Sequence, residues 1–595
     1  MADRPIRLAN FSGYHGDRFT AVDEVLAGDP VDVLVGDYLA EITLAALAAR
    51  YLADPGRGYV EYFVDQLRPH LRTIAERGIK VVTNAGGFNP AGLAAVLRGE
   101  LAAAGVSLRV AHIEGDNVAS RLPQLQADGH RLANLDTGEP LSAWPVVPIA
   151  ANAYLGGWGI TRALGEGADI VVCGRVTDAS LSSGPAAWWH GWSTEDHDEL
   201  AGAVLAGHII ECGPQAVGGN FSGFAAIEQP VTPGFPIAEI AADGSCVITK
   251  HRGHAGAVTV DTVTAQLVYE IQGPRYLNPD VTVHLDAVRL TALAPDRVRV
   301  AGATGSPPPP TTKVAVFGRI GYQLVNTVYL TAPDIPRKLD LLRCQLDSVR
   351  PAGVELYLTP IGTAATDPSS QWEATVAVRI LATAADREDL ARLGLPRLLG
   401  SLYLQSYPGY FQDVAAVPQS APTPRIEYWP ALLDTHAIDH RLVLDERSVA
   451  IPPAQAGPVL PQPVHPEPTG QPDAEPARPE RLAALSYARS GDKGGNCNVG
   501  IWTPYPEAWP WLREFLSTGT LRELLPEVKD LDIVRHEFPE LRAVHFVLRG
   551  LLGTGGSANT RVDQVGKAVG EYLRAAVVPI PQALLDSLER LDDSY

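Results

Sequence analysis

Residues 79–90, with the sequence IKVVTNAGGFNP, decide the fold class of this chain. An apolar run is followed by small polar residues, and Pro90 then begins an amphipathic pattern that predicts a helix. The same order recurs through the first ~225 residues, which is typical of βαβ units. We therefore predict a Rossmann-like parallel α/β sheet with ligands at its carboxyl edge. The predicted strands are Ile6–Asn10, Val31–Val35, Ile79–Thr83, Leu108–Ile113 and Asp169–Cys173.

Changes in composition divide the 595-residue chain into four parts. Residues 1–229 form the predicted α/β domain. Strand patterns dominate residues 230–450, which predicts a mixed α+β extension packed on the first domain. Ten prolines in residues 451–480 indicate a semi-extended linker. Residues 481–595 carry patterns for two helices and about four strands, which predicts a C-terminal ferredoxin-like α+β domain.

Charge and cysteine content narrow the class of protein. The formal net charge is −20, from 68 acidic and 48 basic side chains. This disfavours nucleic acid or an anionic membrane as a partner, because both require a basic face. A local basic pocket that binds a small anionic molecule remains compatible with this negative net charge. The five cysteines are scattered without a CxxC pair, and neither a signal peptide nor an apolar run of ~20 residues is found, so we expect a cytoplasmic protein.

The segment ECGPQAVGGNFSGF, residues 211–224, is the densest unusual stretch. Its glycines permit close backbone approach to a ligand, and its polar side chains supply neutral hydrogen bonds. If the segment is functional, its backbone N–H groups stabilise a negative charge that develops on the substrate. If it is structural, it is only a turn that joins two domains. The candidates are Gln215, Asn220 and Ser222 for catalysis, and Gly218 and Gly219 for substrate binding.

The turn after the strand at 79–83 is a second candidate. Free backbone N–H groups at the start of a helix form an anion site, which makes Asn84, Gly86, Gly87 and Asn89 candidate substrate-binding residues. Asn89 is equally well explained as a helix N-cap. The stretch NAYLGGWG at 152–159 has a similar composition, and its glycines indicate close packing against another element.

Arg175 and Asp178 follow the strand predicted at 169–173, so both should emerge at the ligand edge of the sheet. Arg175 could hold a carboxylate or phosphate, with Asp178 as a base. The alternative is an ion pair that only fastens the loop. Cys173 is a weaker candidate nucleophile, because the sequence places no histidine beside it. We find no HExxH, EF-hand or convincing carboxylate cluster, and predict no metal site.

In the last domain, the sequence RSGDKGGN at 489–496 is predicted to connect two strands. A second glycine-rich stretch, GTGGSA at 553–558, is predicted to follow a strand and begin a helix. Together they predict either an anion pocket or a surface that docks the first domain. The candidate substrate-binding residues here are Arg489, Ser490, Asp492 and Lys493.

Six segments together resemble the acyclic terpene utilisation (AtuA) family. They are NAGGFNPAGLA, ADIVVCGRVTDASL, IIECGPQAVGGNFSGF, the run from Thr249 through QLVYEIQGPRYLNPDV, ARSGDKGGNCNVGI and LLGTGGSANTRVDQVGKAVGEYL. The resemblance implies a large AtuA domain over about 1–450, an AtuA-like ferredoxin-fold tail, and a part in bacterial breakdown of citronellol- and geraniol-type terpenes. It transfers no catalytic residue.

The leading hypothesis is an enzyme that acts on a branched, carboxylated acyl-CoA or related small acid by a lyase or hydratase step. Arg175 would hold the acid, Asp178 would transfer a proton, and Arg489 and Lys493 would bind the phosphates of CoA. This hypothesis implies no cofactor other than coenzyme A as part of the substrate. One alternative is a non-catalytic assembly subunit of an acyl-CoA carboxylase or other pathway enzyme, and another is a hydrolase using Cys212 or Ser222. Large enzymes of this kind are commonly homo-oligomers.

Overall fold

The computed structural model describes residues 4–228, 231–413, 421–470 and 476–592. Its first part alternates strands with helices. The strands are β1 (Ile6–Ser12), β2 (Val33–Gly36), β3 (Lys80–Thr83), β4 (Val110–Glu114), β5 (Pro148–Ala153) and β6 (Ile170–Val172). The helices are α1 (Ala21–Ala27), α2 (Glu41–Ala53), α3 (Glu61–Leu67), α4 (Leu71–Arg77), α5 (Pro90–Ala104), α6 (Leu122–Ala127), α7 (Trp158–Gly165), α8 (Ser180–His190) and α9 (His197–Ile210).

Five parallel strands form the centre of the largest sheet, in the order β1-β2-β3-β6-β4. Successive residues of β2 point to opposite faces, so Val33 and Val35 join one apolar core while Leu34 joins the other. Burial on both faces explains the near-continuous apolar runs of these strands.

The middle part extends this sheet with antiparallel strands and adds a second sheet. Its strands are β7 (Pro236–Ile240), β8 (Cys246–Lys250), β9 (Arg275–Leu277), β10 (Thr282–His284), β11 (Arg289–Ala294), β12 (Arg297–Ala301), β13 (Thr304–Ser306), β14 (Thr311–Thr331), β15 (Val354–Ile361), β16 (Thr375–Ala384), β17 (Phe411–Gln412), β18 (Thr423–Asp434), β19 (Arg441–Leu444) and β20 (Arg447–Ala450). Its helices are α10 (Val260–Leu267), α11 (Ile335–Asp347), α12 (Arg387–Leu393) and α13 (Leu395–Ser401).

The complete order of the large sheet is β11-β12-β8-β7-β1-β2-β3-β6-β4-β19-β20. The result is a mixed α/β architecture, and the narrower Rossmann-like description stays a prediction. The domain boundary predicted at 229–230 lies outside the described residues. Strands from both sides of it share this sheet, because β7 pairs with β1 and β19 pairs with β4.

Strand β14 joins two regions of the second sheet. Its first half pairs with β5 and β18, and its second half pairs with β16 and β17. Gly321 lies at a bulge between the halves with φ +145°, and a Cβ there would lie 2.3 Å from the Ala384 carbonyl oxygen. The second half, with β15, β16 and helices α11–α13, forms a region that we call the arm.

The C-terminal part contains a four-stranded antiparallel sheet in the order β22-β23-β25-β24. Its strands are β21 (Ala477–Arg481), β22 (Tyr487–Lys493), β23 (Asn496–Trp502), β24 (Ile533–Phe538), β25 (Ala543–Leu548) and β26 (Val577–Pro581). Its helices are α14 (Trp509–Phe515), α15 (Thr518–Leu524), α16 (Val569–Ala575) and α17 (Gln582–Asp592).

Two local predictions for this domain were wrong. The strand begins at Tyr487 and continues to Lys493, so 489–493 is not a loop. This strand has a glycine at position 491 because the Tyr269 ring packs against it: a Cβ there would lie 2.4 Å from Tyr269 Cε2. The stretch 553–558 begins no helix, and the next described helix starts at Val569.

The C-terminal domain docks on the large body through an aromatic cluster. The Phe221 ring lies 4.9 Å from that of Tyr487 and 6.4 Å from that of Trp502. Trp502 is buried and donates from Nε1 to Asp261 at 3.0 Å. The described part of the proline-rich segment also packs on the protein, since Ile451 and Ala454 are each buried. None of the helices in the described ranges is long and apolar enough to cross a membrane.

We expect acid to destabilise the fold through His536 and His545, whose rings stack 6.2 Å apart inside the C-terminal domain. Burial lowers the pKa of His545 to about 3 and that of His536 to about 4. The unfolded chain, with pKa values near 6.5, therefore binds more protons as pH falls from about 6.5 to 4, and the native state loses stability. The loss should be roughly 2 kcal/mol per imidazole at pH 5.

Urea denaturation at pH 7, 6 and 5 measures this effect. Asp492, with a pKa raised to about 7 first by burial, titrates in the opposite sense and makes the total slope smaller. The comparison is therefore with the double variant His536→Gln/His545→Gln, whose stability should depend less on pH. Equal pH dependence in the two proteins would contradict the prediction.

Candidate functional site

A cleft of about 1220 Å³, open space at its mouth included, lies where the body, β14, β18 and the C-terminal domain meet. Its walls come from the turn after β6, the segment between α10 and β10, the start of β14, the middle of β18 and the turn between β22 and β23. The charged and aromatic lining residues are Asp136, Tyr154, Arg175, Asp178, Glu270, Arg275, Tyr276, Lys313, Tyr428 and Lys493.

Arg175 is held at the carboxyl edge of the parallel sheet, as its position after β6 predicted. Its Nη1 donates to the Leu39 carbonyl oxygen at 2.7 Å and to Asp178 Oδ1 at 2.6 Å. Its guanidinium lies 4.1 Å from the centre of the Tyr154 ring, a cation–π contact. Arg175 is only 3% exposed, and its Nε has no hydrogen-bond partner. The ion pair with Asp178 exists, and both residues line the cleft.

A second ion pair lies beside the first. Lys313 Nζ donates to Glu41 Oε1 at 3.1 Å, and the Tyr154 hydroxyl donates to the same oxygen at 3.0 Å. Lys313 Nζ also lies 4.8 Å from the Tyr154 ring centre and 5.4 Å from that of Tyr428. Burial alone would raise the pKa of Glu41, but the positive charges of Lys313, then Arg175 and Lys493, hold that pKa well below its usual range.

Lys493 brings a cation to the cleft from the C-terminal domain. It ends β22, directly before the turn that leads into β23. Within the described ranges its ammonium group makes no ion pair. Next to it, Asn496 Nδ2 donates to Asp136 Oδ1 at 2.7 Å, which fastens the turn to the large body. The cleft is therefore composed of residues from both domains.

Acidic side chains also lie in and beside the cleft. Glu270 has φ +53°, a left-handed conformation that costs energy in a residue other than glycine or asparagine. Lys567 lies 3.6 Å from Glu270 and 3.6 Å from Asp492. Burial, followed by the charge of Glu270, raises the pKa of Asp492 to about 7. Asp492 is therefore near the cleft wall but paired with Lys567.

The glycine loop at 211–224 lies at the domain junction and does not line the cleft. Arg489 donates to the side-chain oxygen of Gln215 and, at 3.1 Å, to the carbonyl oxygen of Asn220. Its guanidinium also lies 4.5 Å from the Tyr269 ring centre. The Ser222 hydroxyl is within 2.7 Å of both the Ala488 carbonyl oxygen and Glu571. These contacts match the docking alternative for Arg489.

The remaining glycines and Ser490 in these segments contact protein atoms. A Cβ on Gly218 would lie 2.3 Å from Ile227 Cδ1, and one on Gly219 would lie 3.0 Å from the Pro214 carbonyl oxygen. Ser490 accepts from the Gly570 N–H at 2.9 Å and donates to the Lys567 carbonyl oxygen. The roles in substrate binding that the sequence predicts for Gly218, Gly219 and Ser490 stay predictions, because none of these residues lines the cleft.

The turn at 84–89 does not line the cleft and instead bonds neighbouring residues of the sheet edge. Asn84 is buried, donates to Asp37 Oδ1 at 2.7 Å and accepts from the Tyr38 N–H at 2.8 Å. Burial, then the charge of Asp178, raises the pKa of Asp37 well above its usual range. Asn84 thus holds Asp37 and the backbone of Tyr38 and does not itself line the cleft.

The other three residues of this turn shape the backbone. Gly86 N–H donates to the Cys173 carbonyl oxygen at 3.0 Å. Gly87 has φ +53° and lies against the Gly58 carbonyl oxygen. Asn89 caps helix α5 by accepting from the Gly92 N–H at 2.8 Å. The N-cap explanation of Asn89 is the one that its contacts support.

Sequence reasoning missed Glu41, Tyr154, Lys313 and Tyr428. Tyr154 was within a stretch noticed only for its glycines, and Lys313 is the one cation in the apolar run TTKVAVF. The pairing of β5 with β14 brings them together, because Val314 lies opposite Ala153. Long-range strand pairing of this kind leaves no signal in local spacing. A lysine in an otherwise apolar strand was the available clue.

Among the described residues, no group of three or more His, Cys, Asp or Glu side chains is arranged to hold a metal ion.

A large α/β body and a smaller antiparallel domain jointly line a charged cleft. The chain belongs to the AtuA family: the description "Acyclic terpene utilisation family protein AtuA" matches residues 6–444, and "AtuA ferredoxin-like domain" matches residues 480–579. These matches confirm the resemblance seen in the motifs and the ferredoxin-like class of the tail. No curated protein and no solved structure shows a significant match to this chain.

We expect Lys313→Met to destabilise the protein by roughly 2 kcal/mol, because it leaves the mostly buried Glu41 carboxylate without its nearest cation. The double variant Lys313→Met/Glu41→Gln should regain much of this loss. Urea denaturation at neutral pH measures both. The matched control is Arg343→Met, which removes an exposed pair with Asp340 and should change little. Equal losses in Lys313→Met and Arg343→Met would show that the buried pair has no special weight.

Proposed function

We propose that this protein is an enzyme of acyclic terpene utilisation that acts on a branched, carboxylated acyl thioester or a related small acid. The observation that supports this most is the composition of the cleft, whose lining includes the cations Arg175, Lys313 and Lys493 and the carboxylate of Asp178. Family membership supports the pathway, and the cleft supports the acid or thioester substrate. The reaction type that fits these groups is a lyase or hydratase step driven by general acid–base catalysis.

In this proposal the cations bind the acidic group of the substrate. Arg175 is fixed by Leu39 and by the Tyr154 ring, so its guanidinium is held in place before a ligand arrives. Lys313 adds a second positive charge, because its Nζ lies 4.8 Å from the centre of the same Tyr154 ring. Arg175 and Lys313 each face one carboxylate of the protein, Asp178 and Glu41, so Lys493 supplies the positive charge that these two pairs leave unbalanced.

Asp178 is the proposed proton-transfer group. It lines the cleft, its side chain is 24% exposed, and its Oδ1 faces Arg175. A carboxylate in this position can take a proton from the carbon next to a thioester carbonyl and return it to a leaving hydroxyl group. The backbone N–H groups of residues 213–223, which the sequence suggested for stabilising the enolate oxygen, do not line the cleft, so they are left out of this step.

Lys493 is the proposed contact for the phosphates of coenzyme A. It reaches the cleft from the C-terminal domain, at a turn between two strands. Arg489 is not included in this role, because it bonds Gln215 and Asn220 at the domain junction and does not line the cleft.

A covalent hydrolase mechanism has less support from the described contacts. Burial raises the pKa of the Cys212 thiol well above its usual range, so little thiolate is present at neutral pH. The Ser222 hydroxyl is hydrogen-bonded to Ala488 and Glu571, without a histidine beside it.

Asp178→Asn should lower turnover of branched acyl-CoA substrates by about 10²–10⁴-fold while leaving their binding nearly unchanged. Steady-state kinetics and calorimetry on the same preparations separate the two effects. The matched control is Asp530→Asn, an exposed residue. Normal turnover by Asp178→Asn would remove this residue from the mechanism. A wild-type protein without turnover that co-purifies with an acyl-CoA carboxylase would favour the assembly-subunit alternative.

Lys493→Met should weaken binding of an acyl-CoA by about tenfold, since one charge-assisted contact is lost, and should affect the matching free acid less. Thermal shift and calorimetry with both ligands give the comparison. The exposed Lys529→Met is the matched control. If acid and CoA ester lose the same affinity, Lys493 binds the acidic group and not the CoA tail.

A further inference from the structure

Glu270 has a backbone conformation that its place in the chain does not explain. Its φ of +53° is in the left-handed region, where glycine is preferred. Asp296 and Glu446 also have positive φ, but they lie in the short turns of the β11–β12 and β19–β20 hairpins, which favour such a conformation. Glu270 lies between α10 and β9, in a connection that is not a hairpin. A strained residue beside a ligand cleft is a candidate for a functional role.

The Glu270 side chain lies in the same region of the cleft as the proposed base. Glu270 and Asp178 both line the cleft, and their side chains are 23% and 24% exposed. Burial is the largest cause that raises the pKa of Tyr276, another residue of the lining, well above its usual range. The charges of three carboxylates follow as causes, those of Glu211, Asp178 and Glu270. Asp178 and Glu270 are therefore both near Tyr276.

The two cleft carboxylates differ in how tightly they are held. Asp178 Oδ1 accepts from Arg175 Nη1 at 2.6 Å, so one of its oxygens is engaged by that guanidinium. Glu270 Oε1 lies 3.6 Å from Lys567 Nζ, which is beyond hydrogen-bond distance. The same ammonium group lies 3.6 Å from Asp492. Lys567 thus offsets the charge of Glu270 and leaves its oxygens open to a ligand.

Elimination of water from an acyl thioester needs proton transfer at two places. The proton on carbon 2 has to leave to a base, and the hydroxyl group on carbon 3 has to gain a proton as it departs as water. Two carboxylates in one region of a cleft can each serve one of these places.

We propose that Glu270 is a second catalytic residue, which contacts the hydroxyl group on carbon 3 of the substrate while Asp178 acts at carbon 2. The inference rests on the proposed function and gives Glu270 the second of the two transfers described for Asp178. It also narrows the substrate class to a 3-hydroxyacyl thioester or the matching 2-enoyl thioester.

The step balances in atoms and electrons. Asp178 takes the proton from carbon 2, and the C–H electron pair forms the double bond to carbon 3. The C–O bond breaks with its pair on oxygen, and the protonated Glu270 carboxyl group gives that oxygen a proton, so water leaves. Exchange with solvent then returns a proton to Glu270 and removes one from Asp178. Addition of water follows the same path in reverse.

Glu270→Gln should lower water elimination from a branched 3-hydroxyacyl-CoA by about 10²–10⁴-fold, because an amide cannot supply the proton. It should leave hydrogen exchange at carbon 2 of a saturated branched acyl-CoA nearly unchanged, because this exchange needs only Asp178. Asp178→Asn should lower both rates. Absorbance of the enoyl thioester measures elimination, and NMR in D₂O measures the exchange.

Two further variants separate the side chain from the backbone conformation. Glu446→Gln is the matched control, because Glu446 is exposed, has φ +62° and does not line the cleft, so both rates should stay at the wild-type level. Glu270→Gly should lose elimination and keep the melting temperature, since the left-handed conformation is favourable for glycine. If Glu270→Gln does not fold, Glu270→Gly decides.

The outcomes separate this proposal from the proposed function. Elimination at the wild-type rate by the folded Glu270 variants would overturn the role of Glu270 and leave Asp178 in place. Equal losses of elimination and exchange in these variants would also overturn it, because a group at the hydroxyl takes no part in the exchange. A wild type that exchanges hydrogen without eliminating water would overturn the 3-hydroxyacyl substrate and this role with it. A wild type that does neither would overturn both proposals.

Discussion

Arg175 is a permanently charged group that is almost completely buried, and the architecture around it compensates for that cost. The Asp178 carboxylate, the Leu39 carbonyl oxygen and the Tyr154 ring each contact its guanidinium. These three come from different elements, so the parallel sheet, the start of α2 and the end of β5 must all be in register for the charge to be tolerated. Lys313 and Glu41 complete the same network from β14 and α2.

The C-terminal domain completes the cleft as well as packing on it. Its aromatic contacts with Phe221 and the Arg489 bonds hold the turn at 493–496 against the large body. Lys493 then faces cations and carboxylates supplied by the other domain. Docking and the cleft depend on the same strand, because Arg489 and Lys493 are both in β22.

The sequence predicted the parts of this arrangement that depend on local pattern. Apolar runs followed by small polar residues located the parallel strands, and the position of Arg175 after β6 located one wall of the cleft. Glycine content was a less reliable guide. Gly218 in the loop at 211–224 and Gly491 in β22 are sites of close packing. Ile227 packs against the first and Tyr269 against the second, so neither position has room for a Cβ. Lys313 and Tyr154 could not be paired without knowing that β5 lies beside β14.

Strand β14 has a further consequence. Its 21 residues extend over about 70 Å if fully extended, with Lys313 near one end and the pairing with β17 near the other. One continuous backbone therefore supplies a cation to the cleft at Lys313 and, beyond the bulge at Gly321, the strand on which the arm is built. The charged cleft and a distant surface of the molecule thus belong to the same secondary-structure element.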